Sequence, residues 1–269
     1  MSLIHLNYKS RYLGGNTDVN ILLPDLPFRA DPKDFYTSGR KYPVLWLLHG
    51  TSGDYTAWLR SSNVESYAAR KEIIVVMPSV QNTNYADWPT FANGYGAYSM
   101  LTEELMPMVQ NWFPAGSRRE DNFIAGNSMG GRGACTYAYN HPEKFAAAYI
   151  MSASPQDMRT HLDDRFFAAR NRNMVANAGG MEGFLASPQN LWDLTEKLVR
   201  DRADLPKLYF ACGRADPLAY EDFRTFRAYA ERLGLPAEFI EEDGYSHEWP
   251  FWDRCLKDAL DKFFPEKTE

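Results

Sequence analysis

A serine flanked by glycines is the residue in this sequence best placed for covalent chemistry. Ser128 lies in Gly126-Asn127-Ser128-Met129-Gly130, between an apolar run and a helical pattern. Small flanking residues permit a tight strand-to-helix turn that exposes the hydroxyl, and the amide dipoles at the start of the helix favour a developing oxyanion. We therefore expect Ser128 to be a nucleophile. The alternative is a glycine-rich turn that is merely capped by serine.

A serine hydroxyl needs a neighbouring base, which is usually a histidine. His247 follows the last predicted strand and precedes the last predicted helix, so its loop should leave the same edge of the sheet as Ser128. The other histidines lie in the first strand, in a separate motif, at the far end of the helix after Ser128 and in a polar insertion; they are His5, His49, His141 and His161. We expect His247 to be the base.

An acid must hold the histidine in the correct tautomer and stabilise its charged form. Asp216 follows the strand immediately before the one that leads to His247, and it fits the chain order of serine, acid and histidine. We expect Asp216 to be this acid. Asp243, close to His247 in sequence, is the main alternative, and Asp222, within a helical pattern, is a weaker one.

A second motif predicts where the oxyanion would be bound. The buried run Val44 to Leu48 ends in His49-Gly50-Thr51, a usual position for the second oxyanion donor. We expect the backbone N–H groups of Met129 and Thr51 to form the oxyanion hole. His49 is expected to orient this loop rather than to act as a base.

These residues need a sheet whose strands end at one common edge. Apolar runs alternate with helical patterns, which is typical of βαβ units and a mostly parallel sheet with helices on both faces. The first two runs have no helix between them and predict an antiparallel N-terminal edge. The predicted strands are 3–12, 17–23, 44–48, 73–77, 122–125, 147–151, 208–212 and 238–241. The predicted helices are 55–69, 98–112 with a kink at Pro107, 131–139, 191–200, 218–233 and 249–264.

The chain length of 269 residues suits a single α/β domain spanning 1–269. The interval 156–206 has no strand signal and one clear helix, so we expect a small cap-like insertion over the carboxyl edge of the sheet. Phe184, Leu185 and Trp192 are candidates for the inner face of this cap. The polar segment 29–41 is interpreted as a surface loop.

The composition of the chain argues against a nucleic-acid partner, a membrane span and a disulfide framework. The net charge is −6 and no basic patch stands out, so a nucleic-acid partner is not expected. No apolar run reaches the length of about 20 residues that a membrane span requires. Three cysteines, an odd and sparse set, are not typical of a disulfide framework and favour a cytoplasmic location. The sequence leaves open whether the chain forms a homo-oligomer.

Taken together, the motifs resemble the esterase D family of the α/β-hydrolase fold, and within it the tributyrin-esterase branch of short-chain carboxylesterases. Feruloyl and cinnamoyl esterases and S-formylglutathione hydrolases look similar. The matching segments are 47–53 with Trp58, 126–131, the Asp216 loop with 220–222, and 244–249 with Phe251 and Trp252.

The resemblance implies hydrolysis of small acyl or aryl esters through an acyl-enzyme on Ser128, with no metal and no organic cofactor. A small-molecule ester would be the partner. The alternatives are a thioesterase of the S-formylglutathione hydrolase kind, a feruloyl or acetyl-sugar esterase, and an acyltransferase. A non-catalytic binding protein is disfavoured because every triad position is filled.

Three aromatic residues are candidates for the substrate pocket, because the loops that carry them leave the carboxyl edge of the predicted sheet. They are Trp88, Phe91 and Trp249. The alternative is that these rings only pack loops onto the core.

Overall fold

The computed structural model describes residues 1–265 and is built around an eight-stranded sheet with a separate two-stranded hairpin. The strands are β1 (Ser2–Ser10), β2 (Gly15–Leu23), β3 (Val44–Leu48), β4 (Ile74–Pro78), β5 (Asp87–Trp88), β6 (Tyr95–Gly96), β7 (Asn122–Asn127), β8 (Ala147–Met151), β9 (Lys207–Gly213) and β10 (Ala237–Glu242). The hairpin consists of β5 and β6 and was not predicted from the sequence.

The order of the sheet is β1-β2-β4-β3-β7-β8-β9-β10. Strand β2 pairs antiparallel with both β1 and β4, and the remaining pairs are parallel. Strands β3, β4 and β8 are buried at every position, as expected for strands covered by helices on both faces. The predicted α/β-hydrolase fold, with its antiparallel N-terminal edge, is confirmed.

Helices cover both faces of this sheet. They are α1 (Pro32–Thr37), α2 (Ala57–Ser61), α3 (Val64–Lys71), α4 (Ala97–Ser99), α5 (Met106–Trp112), α6 (Met129–Asn140), α7 (Met158–His161), α8 (Ala168–Asn177), α9 (Met181–Leu185), α10 (Leu191–Arg200), α11 (Tyr220–Leu233) and α12 (Trp249–Phe263). Helices α3 and α12 pack with one hydrophobic core cluster, and α5, α6, α10 and α11 pack with the other.

Three predicted segments differ in detail from the structure. The predicted helix 55–69 is divided into α2 and α3, because Ser62 is extended with a φ of −142°. The predicted helix 98–112 contains a π-helical turn, Met100–Leu105, that leads into α5 just before Pro107. Pro107 then lies in the first turn of α5. The predicted loop 29–41 contains α1, whose start is capped by the Asp31 carboxylate.

The interval 156–206 contains α7 to α10 rather than one helix. Met158, Met174 and Phe184 form a small core of their own, so α7, α8 and α9 pack partly on one another. Helix α10 instead packs on α6 and α11. Trp192, a candidate for the inner face of the cap, stacks on Tyr229 with ring centroids 4.0 Å apart and belongs to the main core.

The three cysteines Cys135, Cys212 and Cys255 are buried and free. Burial raises the pKa of each thiol, to about 12 for Cys135, so these side chains behave as small apolar groups. Over residues 1–265, no helix combines the length and apolarity needed to cross a membrane.

The buried polar side chain of Asn122 anchors the start of β7. Its Oδ1 accepts from Trp46 Nε1 at 3.0 Å, and its Nδ2 donates to the carbonyls of Gly116 and Arg118 at 3.2 and 2.7 Å. We predict that Asn122→Ala lowers the free energy of unfolding in urea by about 2–4 kcal/mol, because buried partners lose their hydrogen bonds. Asn111→Ala, at an exposed site, should change it by less than about 0.5 kcal/mol. Equal effects of the two substitutions would contradict this role.

Candidate active site

The turn between β7 and α6 holds Ser128 in a conformation that side chains rarely adopt. Its φ is 52° and its ψ is −117°. The flanking glycines are required by space: a Cβ on Gly126 would lie 2.4 Å from the oxygen of Gly130, and a Cβ on Gly130 would lie 2.4 Å from the oxygen of Leu48. The Ser128 amide donates to the carbonyl of Met151 at 2.8 Å. The end of β8 therefore stabilises the strained turn.

A hydrogen-bonded relay connects Ser128 to a buried carboxylate. Ser128 Oγ is 2.9 Å from His247 Nε2, and His247 Nδ1 is 2.8 Å from Asp216 Oδ2. An Nδ1–H that donates to Asp216 leaves Nε2 as the acceptor for the serine proton. The backbone amides of Leu218 and Ala219 donate to the other oxygen of Asp216 at 2.9 and 3.0 Å, so the carboxylate is satisfied although its side chain is fully buried.

The loops that carry Asp216 and His247 are joined through the backbone. The amide of Ala215 donates to the carbonyl of Tyr245 at 3.0 Å. The approach is so close that a Cβ on Gly213 would lie 2.3 Å from the same oxygen. The separation between acid and base is thus set by main-chain contacts, which vary less than side-chain rotamers.

The alternative acids have other partners. The Asp243 carboxylate is exposed and pairs with Arg214 at 3.1 Å. Asp222 accepts from Gln156 and lies 3.0 Å from His161 Nε2.

The other histidines also bond elsewhere. His5 pairs with Asp18 and His141 with the hydroxyl of Tyr98, each at 2.8 Å. Of the predicted candidates, the structure brings together Ser128, His247 and Asp216.

The two residues predicted to donate to the oxyanion lie near Ser128. Met129 begins α6, where a backbone N–H has no intrahelical acceptor. Thr51 lines a cavity that also contains Ser128 and His247. The positions of both residues suit donors aimed at an oxyanion on the ester carbon.

His49 holds the loop that presents Thr51. The Val80 amide donates to His49 Nε2 at 3.1 Å, which requires Nδ1 to carry the proton and donate to the Gly50 carbonyl at 2.8 Å. Burial lowers the pKa of His49, which favours this neutral form. The Tyr85 hydroxyl donates to the carbonyl of His49 at 3.0 Å. These bonds agree with the expected orienting role.

Aromatic rings support His247 from the side of α12. The Trp252 ring meets the imidazole edge to face, with centroids 5.1 Å apart, and its Nε1 donates to Ser152 Oγ at 3.1 Å. Trp249 packs at a right angle against both Trp252 and Trp58. The stack restricts the orientation of the imidazole ring.

Two cavities meet at Ser128 and His247. The first, called here the small cavity, has a volume of about 40 Å³ and is lined by residues that include Met129, Arg132 and Arg170. The second, called the large cavity, has a volume of about 580 Å³ and is lined by residues that include Thr51 and Trp249. The two parts of a bound ester would therefore occupy spaces of very different volume.

The structure brings one of the three predicted pocket aromatics to Ser128. Trp249 lines the large cavity, whereas Trp88 and Phe91 line neither cavity. The Trp88 Nε1 donates to the Thr83 carbonyl at 2.9 Å, and its ring packs on the core of α7 to α9. Phe91 is exposed and meets Tyr95 edge to face.

Sequence reasoning missed the arginines of the small cavity. Arg132 follows Ser128 by one helical turn, and its amide donates to the Ser128 carbonyl at 3.0 Å, so the spacing was a usable signal. Arg170 lies on α8 and reaches the cavity only through tertiary packing.

In residues 1–265, no cluster of three or more His, Cys, Asp or Glu side chains is suited to hold a metal ion.

Comparisons with known proteins place the chain among esterases. The family model named Esterase matches residues 10–209. An acetyl esterase of Caldicellulosiruptor saccharolyticus is 28% identical, with 97% of each chain covered.

Two similar structures come from Staphylococcus aureus, and each is 30% identical to this chain. One is the fluorophosphonate-binding serine hydrolase F with bound substrate, which has a TM-score of 0.83 over 98% of this chain and 99% of that chain. The other is an S-formylglutathione hydrolase apoenzyme, with a TM-score of 0.81 over 98% of each.

The backbone strain at Ser128 has a measurable consequence. We predict that Ser128→Gly is more stable to urea than Ser128→Ala by about 1 kcal/mol, because relief of the positive φ outweighs the greater freedom of glycine in the unfolded chain. At Ser62, where φ is −142°, the same pair should show the opposite order. A Ser128→Gly protein less stable than Ser128→Ala would refute the strain.

Proposed function

The chain belongs to the Esterase family, which is esterase D-like, and is a serine carboxylesterase; we propose that Ser128, His247 and Asp216 are its catalytic triad. The single observation that carries the proposal is the continuous relay from Ser128 Oγ through His247 to the buried Asp216, with contacts of 2.9 and 2.8 Å. A hydroxyl in this relay can lose its proton as it attacks, which is what ester cleavage by serine requires.

The first half of the reaction forms the acyl-enzyme. Ser128 Oγ bonds to the ester carbon while His247 Nε2 takes its proton, and the carbonyl oxygen becomes an oxyanion held by the amides of Met129 and Thr51. Loss of one such donor typically costs about 3 kcal/mol of transition-state stabilisation. The bond from carbon to the alcohol oxygen then breaks, and His247 gives its proton to the departing alcohol.

The second half releases the acid. Water gives a proton to His247 and bonds to the acyl carbon, and the same two amides hold the oxyanion again. The bond to Ser128 Oγ breaks, and His247 returns the proton to the serine. Asp216 stays ionised throughout and stabilises the imidazolium that forms in each half.

The two cavities support a preference for short acyl groups. The alcohol must leave and water must enter while the acyl group stays on Ser128, so the larger and more open cavity suits the alcohol. The small cavity would then hold the acyl group. The small cavity is much the smaller of the two, at about 40 Å³ against about 580 Å³, which favours short acyl groups over a feruloyl group.

A thioesterase acting on S-formylglutathione is the second candidate. A formyl group fits the small cavity, and a solved relative from Staphylococcus aureus is described as such a hydrolase. Comparing S-formylglutathione with acetyl-sugar esters and tributyrin distinguishes the two classes, because they differ in the leaving group that the large cavity must accept.

The insertion 156–206 contributes to this proposal as a cap, since Phe167, which precedes α8, and Arg170 on α8 line the small cavity. We also propose a cytoplasmic location, which the three free and buried thiols support.

Triad substitutions test the roles of the two candidate acids. We predict that Ser128→Ala lowers kcat on p-nitrophenyl acetate by about 10⁴-fold or more, and that Asp216→Asn lowers it by about 10⁴-fold because it favours the wrong imidazole tautomer. Asp243→Asn should stay within about threefold of the native enzyme, since rim charges contribute little. A fluorophosphonate probe should label the native protein and Asp243→Asn but not Ser128→Ala. A large loss in Asp243→Asn with little in Asp216→Asn would reverse the assignment.

An acyl-length series tests the assignment of the cavities. With p-nitrophenol as a constant leaving group, we predict that kcat/KM is highest for acetyl to butyryl and falls by about tenfold or more at octanoyl, because excess methylenes find no space. Equal rates for acetyl and octanoyl esters would show that the acyl group lies in the large cavity.

A further inference from the structure

The small cavity is unusual because its walls carry two guanidinium groups within reach of the acyl position. Arg132 is only 7% exposed, and Arg170 is partly buried on α8. Burial lowers the pKa of both to about 10, so both remain protonated at neutral pH. Hydrolysis of esters with neutral acyl chains would require neither the Arg132 charge nor the Arg170 charge.

The donors of Arg132 are not all used by the protein. Its Nη2 donates to the Gln189 carbonyl at 2.8 Å, but its Nε is buried and has no hydrogen-bond partner among residues 1–265. No carboxylate of these residues lies within 4.0 Å of either guanidinium. Buried charges in proteins are normally paired. Arg132 lines the small cavity, so an acceptor bound there would give this charge the partner that it lacks.

The acid that lines the same cavity is already bound by other groups. Asp222 accepts from Gln156 and from His161, and its hydrogen bond raises the pKa of His161. Arg170 bonds to Asn171 Oδ1 at 3.2 Å and lies over the ring of Phe167. The cavity therefore keeps a net positive charge.

A neutral donor adds to this arrangement. Ser154 Oγ is buried, lines the small cavity and has no partner in the described chain. Ser154 Oγ and Arg132 Nε are thus two unused donors on residues that line the same cavity.

We infer that the small cavity binds a carboxylate at the far end of the acyl group, so that the preferred substrates are monoesters of short dicarboxylic acids such as succinate. This inference rests on the proposed function, because it assigns the acyl group to the small cavity. A planar carboxylate matches the hydrogen-bonding edge of a guanidinium. Ser128, Arg132 and Arg170 line the same small cavity, so an acyl group with two methylene groups before its carboxylate would place that carboxylate beside the guanidinium groups. The bonds made and broken are those of ordinary ester hydrolysis, and the distal carboxylate takes no covalent part.

The test compares ethyl esters that differ in the charge of the acyl end. Monoethyl succinate carries the carboxylate, ethyl levulinate is its neutral isostere, and ethyl butyrate reports the basic esterase activity. An alkyl leaving group is chosen because it suppresses spontaneous anhydride formation by the neighbouring carboxylate. We expect kcat/KM, measured by ethanol release, to be about 10- to 100-fold higher for monoethyl succinate than for ethyl levulinate, the range of hydrogen bonds to charged groups.

Substitutions then assign the preference to the arginines. Arg132→Met should bring the succinate-to-levulinate ratio of kcat/KM close to one, and Arg170→Met should lower it to a smaller extent. Arg172→Met is the matched control, because Arg172 lies on the same helix as Arg170 but has an exposed guanidinium paired to Asp163. The succinate-to-levulinate ratio of Arg172→Met should equal that of the native enzyme. If Arg132→Met fails to fold, the ratios measured for the native enzyme and for Arg170→Met still test whether the small cavity binds a carboxylate.

The outcomes separate this inference from the proposed function. A native ratio of one or less, with ethyl butyrate turned over, overturns the carboxylate subsite and leaves the esterase proposal standing. A native ratio above one that Arg132→Met retains also overturns it. Lack of turnover of all three esters, and of p-nitrophenyl acetate, would instead refute the proposed function.

Discussion

The structure depends on one close approach of backbone, where the end of β3 meets the start of α6. Gly126, Gly130 and the Leu48 carbonyl are so near one another that no Cβ fits between them, and this contact forces the chain through the strained φ of Ser128. Strain of this kind costs about 1–3 kcal/mol and persists only when the surroundings hold it. Here the surroundings are fully buried strands on both sides, β3 and β8. The same approach brings Leu48 and His49, which lead into the loop of Thr51, against Gly130 in the first turn of α6, so one contact positions both Ser128 and the loop proposed to bind the oxyanion.

The remaining two residues of the proposed triad are held by a different constraint. Burial of the Asp216 carboxylate is costly unless its oxygens accept hydrogen bonds. Two backbone amides in the segment that leads into α11 and the His247 ring donate these bonds. His247 is fixed in turn by the Trp252 ring. Because the acid accepts hydrogen bonds from fixed backbone donors, the imidazole is oriented before substrate binds, which is the preorganisation that electrostatic catalysis requires.

The sequence predicts the parts of this arrangement that local pattern controls. Strands β3 and β8 and helix α10 occur at their predicted bounds, because their apolar residues follow an unbroken run or a helical period. Helices α7 to α9 were missed because their shared core joins Met158, Met174 and Phe184, which are far apart in the chain. Trp88 and Trp249 look alike in sequence. A hydrogen bond to Thr83 turns Trp88 away from Ser128, and no local pattern encodes that bond.

The proposed carboxylate subsite would place recognition, through Arg132, on the helix whose start is proposed to stabilise the oxyanion. The N-terminus of α6 contributes a partial positive charge to the oxyanion, and Arg132, one turn later, adds a full charge in a site of low dielectric, where fields are screened weakly. A carboxylate bound to Arg132 would cancel part of that field, so recognition by a single arginine would oppose stabilisation of the oxyanion. Arg170 approaches the same cavity from α8, outside the helix that carries the oxyanion donor. The two guanidinium groups outweigh the Asp222 carboxylate that lines the same cavity, so one negative charge on the acyl group leaves the cavity near neutral rather than negative, and the field at the ester carbon does not become unfavourable.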